Sequence, residues 1–148
     1  MAYDRLVLLD TEAKAFTAKA AGTISGGDLV MWFSGTDAVG SAVTTYAAGD
    51  IAVVVASGTA ATAHETVIGV AQQTVTSGLF VNVLQQGIVV LPAGSNGVSG
   101  GAPVSFVGYA NCVERMPTGS LAVAATPIGR ALTTASAAGT FAVVRLNV

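Results

Sequence analysis

Cys112 and His64 are the one cysteine and the one histidine of the chain, and they are the first pair to weigh as a thiol nucleophile with its base. The flanking context of a catalytic thiol is absent around Cys112. His64 stands beside Glu65 in a connector of small residues, where an imidazole is more often solvated than ligating, and a lone histidine cannot build a His-rich metal site. Glu65 and Glu114 offer two carboxyl groups, but nothing in their spacing brings them together for acid–base work. Gly26-Gly27-Asp28 and Gly94–Gly101 are glycine-rich. Neither is a Walker A loop nor a G-x-G-x-x-G that opens a helix, so both read as turns. Trp32 and Phe33 fall on opposite faces of one strand; without basic neighbours Trp32 reads as packing or interface, not as a base-stacking platform. Arg130 and Arg145 read either as partners for acids across a subunit contact or as solvated side chains. These residues point to binding rather than catalysis, with no cofactor, no metal and no small-molecule substrate.

Composition agrees with that direction. The 148 residues suffice for one domain with a real core. Lys+Arg 6 against Asp+Glu 8 leaves a net charge of −2, which gives no electrostatic footprint for nucleic acid. Charged residues make up 9% of the chain, where about 25% is usual for soluble domains. They are also unevenly placed. Asp4, Arg5, Asp10, Glu12, Lys14 and Lys19 crowd the first residues, whereas Thr66–Val113 carries no charge. A surface so poor in charge resembles the core of a protein interface more than a free surface. The N-terminus shows no basic n-region with a long apolar h-region, and no apolar run approaches the ~18 residues that span a bilayer. The expectation is a soluble single domain without a membrane partner, intracellular when made.

The elements that position these residues read as strands. Pro127–Val148 gives two: Ile128–Leu132, then Phe141–Leu146, on which Ala142, Val144 and Leu146 share one face at period 2. The same stretch occurs earlier. Ile68-Gly69-x-Ala71 matches Ile128-Gly129-x-Ala131, Thr74 matches Thr134, and Gly78-x-Phe80 matches Gly139-x-Phe141. Ahead of each copy stands a second echo, Ile24-Ser25-Gly26-Gly27 against Val98-Ser99-Gly100-Gly101. Between them lie apolar runs at Leu29–Phe33, Ile51–Ala56, Ile88–Leu91, Val104–Tyr109, Asn111–Glu114 and Leu121–Ala124, separated by turn signals. Gln86-Gly87 reads as a turn, Pro92 as a strand end and Ala93–Gly101 as the loosest loop. Short strands at regular spacing argue a mainly β fold, a small single-domain barrel or compact sandwich with an internal two-fold-like duplication, its halves about 22–92 and 93–148.

Met1–Ala21 reads differently, as an extended N-terminal arm outside the 22–148 domain. Tyr3, Arg5, Val7 and Leu9 alternate with Leu6 and Leu8, so both faces carry apolar side chains. Glu12–Ala21 has helix-forming composition but is too short for a stable helix. The arm is expected to lie on a neighbour by β-augmentation; the competing reading makes Tyr3–Leu9 the first strand of its own barrel. Candidate contact residues are Tyr3, Arg5, Leu6, Val7, Leu8, Leu9 and Phe16. Leu84 and Val89 join them, because Leu79–Leu84 and Ile88–Leu91 are apolar on both faces and a single core covers one.

Taken in order, the turn of Thr23–Val30, the segments Thr66–Ala71 and Gly87–Pro92, and the ending Thr126–Asn147 with its Val-Arg-Leu-Asn resemble the capsid decoration, or cement, proteins of tailed phages. The resemblance covers most of the chain after the arm, and the lengthened stretches Ser34–Thr44 and Thr59–His64 depart from it. It implies a small β-barrel, commonly trimeric, that is made in the host cytoplasm, binds the outside of the capsid and bridges major capsid subunits. Its partners would be the major capsid protein and further copies of itself. The alternative is a β-barrel recognition or adhesion module on a virion or cell surface, which requires a cluster of exposed aromatics with Asp or Asn.

Overall fold

The computed structural model describes residues 7–8, 13–33, 52–56, 67–107, 112–116 and 127–148, and every regular element among them is a strand. In chain order these are β1 (Val7–Leu8), β2 (Lys14–Ala20), β3 (Leu29–Trp32), β4 (Ala52–Val55), β5 (Val67–Ala71), β6 (Phe80–Pro92), β7 (Pro103–Val107), β8 (Cys112–Arg115), β9 (Gly129–Ala131) and β10 (Phe141–Asn147). The period-2 reading holds where it is cleanest. On β10, Ala142, Val144 and Leu146 are buried while Phe141, Arg145 and Asn147 face outward.

β2, β4, β3, β5 and β6 hydrogen-bond in that order, and β6 returns to β2, closing a five-stranded barrel. The β2–β4 pair is parallel, through Lys19↔Ala52 and Ala20↔Val53; the other pairs in the ring are antiparallel. Small and β-branched residues from all five strands meet in one cluster: Ala18, Ala20, Val30, Val53, Ala71, Val81 and Val83. A barrel of so few strands leaves room inside for little more than these side chains.

β6 is long enough to serve twice. Its first half pairs with β2 and β5, and the half from Gln86 to Pro92 pairs with β10, which continues to β9, β7 and β8. A parallel bridge, Ala93↔Val113, brings β8 back against the chain as it leaves β6. A second and larger cluster includes Leu84, Val89, Leu91, Val104, Phe106, Val113, Ile128, Val144 and Leu146.

The repeated motifs occupy matching positions in these two sets of strands. Val30 pairs with Gly69 and Val104 with Gly129; Ala71 pairs with Val83 and Ala131 with Val144; Lys19 pairs with Phe80 and Pro92 with Phe141. The two turns share their main bonds, although the Ser25 N–H bond to the Asp28 carboxylate has no counterpart at Ala102. Gly27 N–H donates to the Ala71 carbonyl at 2.7 Å and Gly101 N–H to the Ala131 carbonyl at 2.8 Å. Gly26 N–H donates to Thr74 Oγ1 and Gly100 N–H to Thr134 Oγ1, both at 3.0 Å. Gly27 and Gly101 hold φ of 88° and 84°, a region that a side chain strongly disfavours.

Several sequence expectations are corrected. The arm expected over Met1–Ala21 is not free from Lys14 to Ala20: β2 pairs with both β4 and β6, because alternating small and bulky residues fit the barrel wall. Gln86-Gly87 does not turn. Gly87, at φ 148°, lets β6 run on, and the register against β2 slips at Lys14/Ala15, a bulge that bends the strand rather than ending it. Pro92 is the last residue of β6, as expected, but Ala93–Gly101 is bonded rather than loose, with Gly94 N–H on the Val113 carbonyl and Val98 bridged to Ala135. Ser34–Thr44, Thr59–His64 and Leu121–Ala124 lie outside the described residues.

Candidate functional site

Exposed large side chains stand at two places, where β6 begins and where β10 begins, at opposite ends of β6. Gly78 and Gly139 adopt φ of 89° and 78°, turning each hairpin so that the next strand starts two residues later on a phenylalanine. Alternation then points Val81 and Ala142 inward and leaves Phe80 65% and Phe141 56% exposed. Leu79 is exposed beside Phe80, and Leu132, whose N–H donates to the Val143 carbonyl on β10, is likewise exposed. Phe80 and Phe141 thus hold matched registers, against Lys19 and Pro92, and both present an apolar ring to solvent. Both rings stand on paired strands directly after tight hairpins, so their backbone is already ordered and a contact made there would cost little ordering entropy. Elsewhere on the first barrel, Trp32 is exposed with its ring centroid 5.5 Å from that of Phe16.

The titratable residues form a structural rather than a reactive cluster. Glu114 on β8 is buried, and its carboxylate accepts from Asn96 Nδ2 at 2.6 Å, the Asn96 N–H at 3.1 Å and Ser95 Oγ at 3.2 Å. Buried carboxylates need such donors. Cys112, two residues earlier on the same strand, is buried, and burial first and the charge of Glu114 second push its thiol above the ordinary value of 9.0. A thiol so placed stays protonated at neutral pH, the opposite of what a nucleophile needs. His64 and Glu65 lie outside the described residues. Among the described residues no three of His, Cys, Asp and Glu come together as a metal site, and no helix is long and apolar enough to cross a membrane.

The expected contact residues separate into three groups. Leu84 and Val89 are fully buried in the chain's own larger core cluster, while Ile88 and Val90 beside Val89 on β6 are half-buried. Phe16 is half-buried against the first barrel cluster and beside Trp32. Val7 and Leu8 pair through their backbone with Val89 and Ile88 of β6, while Tyr3, Arg5, Leu6 and Leu9 lie outside the described residues. Sequence reasoning missed Phe80 and Phe141 as surface residues. The signal was present in the repeated Gly-x-Phe, where a large ring recurs at a position that alternation turns away from the core.

No family model matches this chain, and no curated protein matches it by sequence. Among solved structures, the N base of the head fiber gp8.5 of bacteriophage phi29 matches with a TM-score of 0.56 at 17% identity, covering 91% of this chain and 94% of that one. The fold resembles that of a phage head-fiber base. Coverage of nine-tenths of both chains means that the likeness takes in the whole strand arrangement and not one hairpin. At this identity what is shared is the fold.

Proposed function

We propose that this chain is a non-enzymatic virion structural protein that attaches to the outside of a phage capsid and stabilises it by bridging major capsid subunits. The observation that carries this reading is the fold likeness to a phage head-fiber base over nearly the full length of both chains. The charge-poor sequence and the two matched, exposed phenylalanines support it. The protein is made in the host cytoplasm and acts as a homotrimer on the virion surface. Its contacts come from the exposed apolar side chains at the starts of β6 and β10, together with Tyr3, Arg5, Leu6, Val7, Leu8, Leu9 and Phe16.

The mechanism is linkage. A ligand that binds the mature shell better than its precursor stabilises the mature shell by the difference in binding free energy. Three copies of a contact on one trimer raise the effective concentration of the second and third, so weak contacts sum to firm attachment. The test is to measure the mass of the purified chain in solution by light scattering and then to co-sediment it with expanded and unexpanded phage shells. The reading expects a trimer that pellets with expanded shells. A protein that pellets with neither shell overturns the capsid reading, and a monomer at micromolar concentration overturns the trimer.

A further inference from the structure

Asn96-Gly97, in the crossing from β6 to β7, is a dipeptide that readily loses its side-chain amide, because glycine has no Cβ to keep its own nitrogen away from the asparagine Cγ. The first barrel makes the matching crossing without it. There Ala20↔Val53 stands for Ala93↔Val113, and Ile24↔Val75 for Val98↔Ala135. The Ala21 N–H donates to the Val53 carbonyl at 2.8 Å, as the Gly94 N–H donates to the Val113 carbonyl at 2.9 Å. Between these bonds the first barrel has Gly22 and Thr23 where the second set of strands has Ser95, Asn96 and Gly97. Val54, buried and apolar, holds the place of Glu114. The fold therefore requires neither the Asn-Gly pair nor the acid; the second set of strands adds both, and adds them in contact.

Loss of the amide follows a fixed course. The Gly97 nitrogen attacks Asn96 Cγ and gives up its proton; the Cγ–Nδ2 bond breaks, and ammonia leaves with that proton, closing a succinimide ring. Water then opens the ring at either carbonyl to give aspartate or isoaspartate, with no oxidant or reductant involved. In the folded chain both nitrogens of that step are engaged. Glu114 accepts from Asn96 Nδ2 at 2.6 Å and from the Asn96 N–H at 3.1 Å, while the Gly97 N–H donates to the Gly94 carbonyl at 3.0 Å. The Gly97 carbonyl accepts from the Arg115 N–H at 2.9 Å, and Val98 and Ala135 bond one another in both directions. Ring closure must break the bonds of both nitrogens, so it proceeds from locally opened states. The product places a carboxylate where the Asn96 amide had donated to Glu114. Two carboxylates at that distance repel, and one must take up a proton or move away. Isoaspartate also lengthens the main chain between the bonds that fix Gly94 and Val98.

We infer that Asn96-Gly97 is a spontaneous deamidation site held latent by Glu114, and that its conversion loosens the closure of the second set of strands at β8. The site is independent of capsid attachment. The experiment incubates the full-length chain at pH 8, folded and in guanidinium chloride, and follows amide-to-acid conversion at each asparagine by peptide mass spectrometry. In guanidinium, Asn96 should convert ahead of Asn82 and Asn147; in the folded chain its conversion should be at least about tenfold slower. Glu114→Val, the residue type the first barrel carries there, should keep its β content and convert Asn96 several-fold faster than the natural folded chain. Gly69→Ala, which weakens the first barrel instead, should leave the rate at Asn96 unchanged. If Glu114→Val does not fold, the product is tested directly: Asn96→Asp should lower the urea midpoint, and adding Glu114→Gln should recover part of the loss, because one of the two facing charges is gone. Equal rates in the folded and unfolded chains, or no preference for Asn96 in guanidinium, overturn the site. A folded Glu114→Val chain that converts no faster than the natural one, or an equal acceleration in Gly69→Ala, overturns the latch. An unchanged midpoint in Asn96→Asp, or no recovery on adding Glu114→Gln, overturns the loosening.

Discussion

Gly129 lies so close beneath Arg145 that a Cβ added to it would fall on the Arg145 carbonyl oxygen, and Gly69 stands in the same relation to the carbonyl of Leu84. The glycine of each Ile-Gly-x-Ala motif is thus fixed by the approach of the next strand. Alanine at either position must push two paired strands apart. Each of Gly69→Ala and Gly129→Ala should cost about 1–3 kcal/mol, the usual range for overpacking, read as a lower urea midpoint at unchanged slope. As an internal control, Gly22→Ala meets nothing within 4 Å and should leave the midpoint nearly where it was.

Removing residues 1–20 deletes β2 and with it the strand that closes the first barrel, leaving the outer edge of β4 and one edge of β6 without a partner. The truncated chain should fail to fold cooperatively, whereas a chain lacking residues 1–12 should keep its β content. A cooperative transition in the 1–20 deletion would show that β2 is an accessory to the barrel and not part of its wall. Circular dichroism with thermal melting makes the comparison.

What the sequence revealed and what it hid divide along one physical line. Alternation and turn glycines are local signals, and Ala142, Val144 and Leu146, the turns at Gly27 and Gly101, and the all-strand character were legible from them. β2 was not. Its sequence, KAFTAKA, has helix-forming residues, and it becomes a strand because Phe16 and Ala18 find Val83 and Val81 on a strand more than sixty positions away. The same holds for Leu84 and Val89. Both are buried in the chain's own core, whereas Leu79 and Phe80 are exposed and Ile88 and Val90 half-buried, and the sequence alone does not say which of these apolar positions the chain itself covers. Arg130 was legible as a charge, but its position opposite Arg145 depends on strand register.

Glu114 should prove stabilising although it is a buried acid. Replacing it with alanine leaves the Asn96 N–H and side-chain amide and the Ser95 hydroxyl without their acceptor. The expected loss is about 1–3 kcal/mol, the cost of unsatisfied partly buried donors. Glu114→Gln, which keeps one acceptor oxygen, should lose less. If alanine proves neutral in a urea titration, water or relaxation of the 95–96 turn supplies the missing acceptor.

The raised thiol of Cys112 makes stability depend on alkaline pH in a defined direction. The folded state holds its thiol proton to higher pH than the unfolded chain does, so between those two values the folded state binds more protons and stability falls as pH rises. The contribution is complete below the ordinary value of 9.0 and is lost above it, toward the raised folded value. Urea midpoints at pH 7, 9 and 10.5 should decline more steeply for the natural chain than for Cys112→Ala. Parallel curves would mean that the thiol ionises as freely in the fold as outside it.

Phe80 and Phe141 provide the sharpest test of where the proposed capsid contact lies. Both are exposed, so truncating them removes little that the isolated fold depends on. Buried aromatic anchors carry a large share of interface energy, commonly about 2 kcal/mol or more each. Phe80→Ser and Phe141→Ser should therefore leave the urea midpoint within about 0.5 kcal/mol of the natural chain, while each weakens attachment to expanded shells by at least about tenfold. Because the two rings sit at matched registers, one on each set of strands, the single variants separate two arrangements. If both rings touch the shell, the two losses should be similar and the double variant should not pellet at all. If one set of strands faces the shell and the other faces a neighbouring copy, one variant should lose shell binding and the other should lose trimer mass in light scattering. Full attachment and full mass in both variants would rule out the starts of β6 and β10 as the contact surface.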